Sequence, residues 1–379
     1  MSDRIRVVYW NSIPSPYFVE RLTALSAIDH LDVHGIFNSE RNADRSWNVD
    51  PETWGFDGHW ADRTRVGLYD ASRLVKSLRP DLLVSLYGEP SFAINGPRSA
   101  LHSRRWAIRV VPTFDAWESR HPLKEATKKA LGRIVDGAKV PGPDGRAYAA
   151  RMGVSPGRIC EVQQSVPVEH FRSGGTRSTA RHRLGIPESE FVFVYVGRLW
   201  EGKGLGTLLE ASQRVSSSRP WSLLVVGDGP MEGDLRRRDD LPLRLTGFVQ
   251  RPELPAVLAA ADCLVFPTMG DPFGLVVEEC MAAGMPVIAS DQMGDARRRV
   301  EDTDAGLIVS EPTGPAWAFA MDRMLHREAH ERWRVGAVRA AQHVGHDAYV
   351  RDFLAFTESM LALPPRRPHL RRSVGVAGR

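Results

Sequence analysis

Cysteine is scarce. Cys160, Cys263 and Cys280 are far apart and set in apolar or helical patterns, which excludes a disulfide framework and a thiolate metal site and fits a reducing cytoplasm. Long apolar runs are missing too: no stretch approaches the roughly 18 residues of a membrane-spanning helix. The chain opens into the apolar run 6–10 without the basic segment and cleavage site of a signal peptide. Charge of one sign is nearly balanced, with a formal net charge of +4 on 379 residues. The basic words LRRRDD (235–240), ARRRV (296–300) and PPRRPHLRR (364–372) are short and mostly interleaved with acids, so they read as solvated faces. No aromatic-and-basic reader motif accompanies them, and a nucleic-acid partner is not expected.

What the chain does contain is an ordinary globular mixture, 42% hydrophobic and 25% charged, long enough for two domains of about 150–200 residues. Short apolar runs alternate with helical patterns. In the first half the runs are 5–10, 32–37, 81–86, 107–111 and, more weakly, 137–140, separated by helical stretches such as 16–25, 70–78 and 122–134. A polar stretch, RSGGTRSTARHRLGIPES, then reads as a linker or an opening loop. A second set of strands follows at 191–196, 222–226, 243–246, 263–266, 286–289 and 306–309, with helices at 204–216, 231–237, 253–260, 275–283 and 317–325. This βαβ rhythm predicts parallel sheets buried on both faces, with ligands at the carboxyl ends of the strands.

Four words at those strand ends carry chemistry. In VGRLWEGKG a strand stops at Gly197, and Arg198 and Lys203 sit on a glycine-flanked loop before a helix, an arrangement suited to phosphate; the plain alternative is an exposed basic turn. The P-loop spacing is absent. GDGP (227–230) and LTGFV (245–249) taken singly are turns that punctuate strands. DPFGLVVEECMAAGMPVIAS holds two carboxylates, Asp271 in a tight loop and Glu279 on the helix that the loop feeds.

In this order the motifs resemble the donor-binding domain of retaining GT-B glycosyltransferases of the large family called family four, densely over about residues 190–310 and elsewhere by architecture. The resemblance implies an α/β fold of GT-B type, two doubly wound Rossmann-like domains facing across a cleft. It places an acceptor-side domain at 1–170, a nucleotide-sugar-binding domain at 171–345, and a helix with a basic tail at 346–379 that crosses back to the first domain. The family's acidic pair is matched by Asp271 and Glu279, with aspartate where glutamate is commoner. Asp271 would then hold hydroxyls of the transferred sugar and Glu279 the ribose, while the backbone around Gly197, Phe273, Gly274 and Leu275 meets sugar and phosphates. Arg198 and Lys203 would neutralise the diphosphate leaving group, and Phe248 and Val249 would line the base. Thr113-Phe114-Asp115 stands where the family often has a histidine, which nominates Asp115 as a catalytic group, with Glu118 or His121 as alternatives. The loop NSIPSPYF lacks the paired glycines frequent there.

The implied reaction is sugar transfer from a nucleoside-diphosphate donor, UDP- or GDP-linked, to an acceptor hydroxyl with retention and without a metal or other cofactor. An epimerase or phosphorylase of the same fold is one alternative, and a non-enzymatic binder of anionic polymers is another. The acceptor is left open among sugars, lipid-linked carriers and small molecules. The basic stretch 121–133 leaves peripheral contact with the inner face of a membrane open as well.

Overall fold

A computed structural model describes residues 4–40, 50–87, 89–111 and 122–364. The chain forms two units. One holds the N-terminal part as far as Gln163 and takes the chain back from Tyr349; the other holds Gln164–Ala348.

The N-terminal unit is built on a seven-stranded sheet of β1 (Ile5–Asn11), β2 (Leu31–Phe37), β3 (Asp57–Trp60), β4 (Leu82–Ser85), β5 (Arg105–Arg109), β6 (Gly137–Val140) and β7 (Ile159–Glu161), in the order β3-β2-β1-β4-β5-β6-β7. Every pairing is parallel. Strands covered on both faces need apolar residues without alternation, and Val7, Val8, Tyr9 and Trp10 are all buried. Helix α1 (Pro16–Ser26) follows β1 and contributes Phe18, Val19, Leu22 and Leu25 to the core. The C-terminal helix His346–Leu361 supplies Tyr349, Phe353, Phe356 and Met360 to that same core. It lies close on the sheet because Gly137 has no side chain: a Cβ there would stand 2.6 Å from the Met360 sulfur.

The C-terminal unit repeats the design with β8 (Phe191–Val196), β9 (Trp221–Val226), β10 (Leu243–Gly247), β11 (Cys263–Phe266), β12 (Val287–Ser290) and β13 (Gly306–Val309), ordered β10-β9-β8-β11-β12-β13 and again all parallel. In both sheets the order reverses beside the first strand of the unit, and such a switch point is where doubly wound sheets bind ligands. Cys263 and Cys280 are buried free thiols whose pKa burial pushes well above the usual range, so they act as core residues.

The polar stretch expected as a linker or an opening loop holds a helix, Arg177–Leu184. Thr176 caps it, its hydroxyl accepting from the Thr179 N–H at 3.3 Å. Its core-facing residue is Arg181, fully buried, which donates to the carbonyls of Ala260, Pro187, Glu188 and Glu190 and to Asp262. A guanidinium satisfied by four carbonyls occupies the place that a periodicity search reserves for leucine. The helices Pro90–Ala100 and Arg327–Ala341 also escaped the pattern, the first because it contains Pro97, the second because small residues such as Gly336, Ala337 and Ala340 form its buried face. The word LRRRDD is a solvated face, with Arg236, Arg237 and Arg238 paired to nearby acids. Among the described residues no helix is long and apolar enough to cross a membrane. In helix Pro122–Ile134, Lys128 is turned inward, bonded to Glu125 at 3.0 Å and Tyr148 at 2.8 Å.

Candidate functional site

The strand-end words of the C-terminal unit are stitched together through their backbones. Beyond β8, the Gly197 N–H donates to Val226 O at 3.0 Å and the Leu199 N–H to Asp228 O at 2.7 Å. Beyond β9, the Gly227 N–H donates to Gly247 O at 2.9 Å. Gly227 has φ +142°, and a Cβ on it would stand 1.9 Å from Gly197 O, so only glycine lets the two turns touch. Three words that look like separate punctuation thus form one rim along the carboxyl edge of β8, β9 and β10.

Lys203 reaches this rim from the other side. Gly204, at φ +71°, brings its own backbone so near Pro267 that a Cβ would meet the carbonyl oxygen at 1.8 Å, which seats the lysine beside the end of β11. The Met269 N–H donates to Gly202 O at 3.2 Å and joins this loop to the one holding Asp271. Lys203 Nζ then lies 2.8 Å from Asp271 Oδ2, with both side chains about one fifth exposed. The other oxygen, Oδ1, accepts from the backbone N–H of Phe273 at 3.0 Å and of Gly274 at 2.6 Å. Asp271 therefore does two things at once: it shapes the turn that starts helix Leu275–Ala282, and it neutralises Lys203. Arg198 is exposed on the neighbouring turn, where its carbonyl accepts from the Tyr195 hydroxyl at 2.9 Å. Burial and the Asp271 charge push that phenol's pKa well up, so it stays a proton donor.

Glu279 lies one turn and a half into the helix and is 1% exposed. It therefore does not belong to a solvated helix face. Its Oε1 is 3.5 Å from Nε of Arg251, which stands just beyond the Phe248-Val249 segment. Neighbouring Glu278 is also buried and receives a 3.0 Å hydrogen bond from Arg299. Burial raises the Glu278 pKa and Arg299 pulls it back. Arg251 was not singled out in the sequence, and Arg299 belongs to the word ARRRV, which reads as a solvated face but turns this arginine inward onto Glu278. The available signal was the presence of two consecutive glutamates on a helix otherwise made of Leu, Val, Cys, Met and Ala, since buried carboxylates need cationic partners.

Phe248 is 39% exposed, whereas Val249 packs on the core. Phe273 is buried, which leaves only its backbone for a ligand. Gly197, Arg198, Lys203, Asp271, Gly274 and Leu275 sit on the loops and helix start at the carboxyl ends of β8 and β11, and Glu279 lies further along that helix. Asp115, Glu118 and His121 lie outside the described residues. Among the described residues, no three His, Cys, Asp or Glu side chains are grouped to hold a metal ion.

Two parallel-sheet α/β units of this kind make up the GT-B fold of glycosyltransferases, and solved structures share it across the chain. HepE from Anabaena, in complex with UDP, aligns with a TM-score of 0.77 at 15% identity, covering 94% of this chain and 100% of that one. Sucrose-phosphate synthase from Thermosynechococcus elongatus aligns at 0.70 and 20%, covering 95% and 100%. Residues 190–327 match the family model described as glycosyl transferases group 1, which supports a group 1 glycosyltransferase. D-inositol 3-phosphate glycosyltransferase of Mycobacterium bovis is 31% identical over 274 residues, 66% of this chain and 56% of that relative, so the chain spans little more than half the length of the relatives it matches.

Proposed function

We propose that the protein is a retaining glycosyltransferase that moves a sugar from a nucleoside-diphosphate sugar to an acceptor hydroxyl. The observation that carries this reading is the Lys203–Asp271 pair, set between a glycine rim and a helix start within the segment matching the family model. HepE, whose fold is shared, was solved with UDP and with UDP-glucose, which makes a UDP-linked donor the first to test and a GDP-linked donor the second.

Within the fold the Lys203 charge is paired with Asp271. A donor diphosphate competes for that ammonium together with Arg198 and the free N–H groups at the start of helix Leu275–Ala282. As Lys203 turns to the diphosphate, Asp271 Oδ2 is released toward the hydroxyls of the transferred sugar, while Oδ1 keeps the turn. Glu279, held by Arg251, accepts from the ribose. Gly197, Phe248 and Val249 line the remaining nucleotide path.

Negative charge builds on the leaving diphosphate as the glycosidic bond breaks, and two fixed cations stabilise it there. With that charge supplied by the chain, the proposed reaction takes no metal cofactor. The acceptor attacks the face that the leaving group vacates, and a phosphate oxygen takes the acceptor's proton. Asp115 is proposed as a further catalytic group, and cytoplasmic action, with or without peripheral membrane contact, completes the reading. The test is a screen of purified protein against sugar nucleotides, read by nucleotide release and thermal shift. Release that depends on an added acceptor supports transfer, and epimerised donor without acceptor dependence overturns it.

A further inference from the structure

The N-terminal unit holds a second group of cations that the donor site does not use. Arg109 and Lys139 are direct neighbours across β5 and β6 at the carboxyl edge of the sheet. Arg21 from α1 stands near them, and Arg21 and Lys139 are only 3% and 5% exposed. Lys139 Nζ is 4.9 Å and the Arg21 guanidinium 5.8 Å from the centre of the Tyr349 ring, and Arg109 is 5.5 Å from that of Phe18. The hydroxyls of Tyr9 and Tyr349 lie 3.3 Å apart in the same group.

Like charges set opposite one another in a sheet repel, and burial removes the water that would screen them. Burial and the neighbouring arginines push the Lys139 pKa well down, and burial with Arg109 brings Arg21 down to about 10. The acids felt here are Asp352 by Lys139 and Glu20 by Arg21. Asp352 already serves Arg351 at 3.4 Å. Among the described residues no carboxylate comes within 4.0 Å of Arg109 or Lys139. Ring faces stabilise a cation by about 0.5–2 kcal/mol, less than the several kcal/mol that burying an unpaired ion costs. Arg109 and Lys139 are short of negative charge.

We propose that Arg109 and Lys139, backed by Arg21 and the Tyr9 and Tyr349 hydroxyls, bind a small oxyanion of phosphate type in the N-terminal unit. The half-buried Arg109, last residue of its strand, is the open side of the site. Two sources share this chemistry: a free structural ion, or an anionic group carried by a substrate.

The full chain is titrated with inorganic phosphate at constant ionic strength, with and without saturating UDP to occupy the donor-side cations, and its melting temperature is read. The wild type should gain a saturable rise that UDP does not abolish, as a ligand binding only the folded state requires. Lys139→Met should lose at least four fifths of that rise while melting, without phosphate, at or above the wild-type temperature. If Lys139→Met does not fold, Arg109→Gln, at the open side, is read in the same way. No saturable rise in the wild type, or an equal rise in the variant, overturns the site. A second arm replaces inorganic phosphate with glycerol phosphate. Saturation at a tenfold lower concentration identifies a substrate-borne anion, and equal or weaker binding identifies a free ion.

Discussion

The two units solve the problem of cations near a parallel-sheet edge in opposite ways. In the C-terminal unit each buried or half-buried cation beside the site has a carboxylate: Lys203 with Asp271 at 2.8 Å, Arg299 with Glu278 at 3.0 Å, Arg251 with Glu279 at 3.5 Å. In the N-terminal unit Lys139 and Arg109 stand against aromatic rings instead. A paired cation is preorganised and exchangeable, because an incoming diphosphate substitutes one anion for another. A stacked cation without a carboxylate marks a place where the negative partner comes from outside the fold.

The contrast is broken most strongly at Arg299. Arg299→Met leaves Glu278 buried without its cation and should cost about 3–5 kcal/mol in urea unfolding, most of it restored by adding Glu278→Met. The pH dependence has a definite sign. Burial raises the Glu278 pKa above its unfolded value, so the folded state favours the protonated form and the penalty in Arg299→Met should grow as pH rises above the ordinary glutamate range. A loss of stability independent of pH would point to lost packing instead.

Next in size is catalysis. Lys203→Ala and Arg198→Ala should each lower turnover about 10²–10³-fold, the scale of one lost transition-state donor, while melting temperature stays within a few degrees. Near-wild-type turnover at saturating donor in both variants would remove them from the diphosphate. The Lys139→Met comparison described above has the opposite sign from Arg299→Met: one removes a partner, the other a charge that lacks one.

The smallest effect is at His330, whose Nε2 contacts the Asp262 carbonyl at 3.1 Å and whose pKa burial lowers below the usual 6.5. A histidine kept neutral in the folded state stabilises above its unfolded pKa, and that stability is lost as pH falls through about 6.5. Melting curves between about pH 7.5 and 5.5 should therefore be flatter for His330→Gln than for the wild type.

Apolar rhythm made both sheets legible. The strands Gly137–Val140, Phe191–Val196, Cys263–Phe266 and Gly306–Val309 run over the residues that their sequence patterns marked. Helices that bury an arginine, contain a proline or bury a row of small residues were not legible, since Arg181, Pro97 and Ala337 carry no hydrophobic period. At the site, the glycine words and the acidic pair could be read because each is a local word. Long-range partners could not: Arg251 lies 28 positions before Glu279 and Arg299 lies 21 after Glu278, so only the folded chain shows the pairing. The shared use of Asp271 by a turn and by Lys203 was equally hidden, because it depends on Gly204 settling against Pro267.

Calorimetry with bare UDP tests the account most directly, by comparing Asp271→Asn with Glu279→Gln. Asparagine keeps an oxygen for the Phe273 and Gly274 N–H groups but frees Lys203, so this variant should bind UDP as tightly as the wild type or up to about fivefold more tightly, the worth of roughly 1 kcal/mol for a partly exposed pair. Glu279→Gln gives up a charge-assisted bond to ribose and should weaken UDP about tenfold or more. If Asp271→Asn instead weakens bare UDP as much as Glu279→Gln does, Asp271 is no counter-ion competing with the diphosphate, and the division of the two carboxylates between sugar and nucleotide is contradicted.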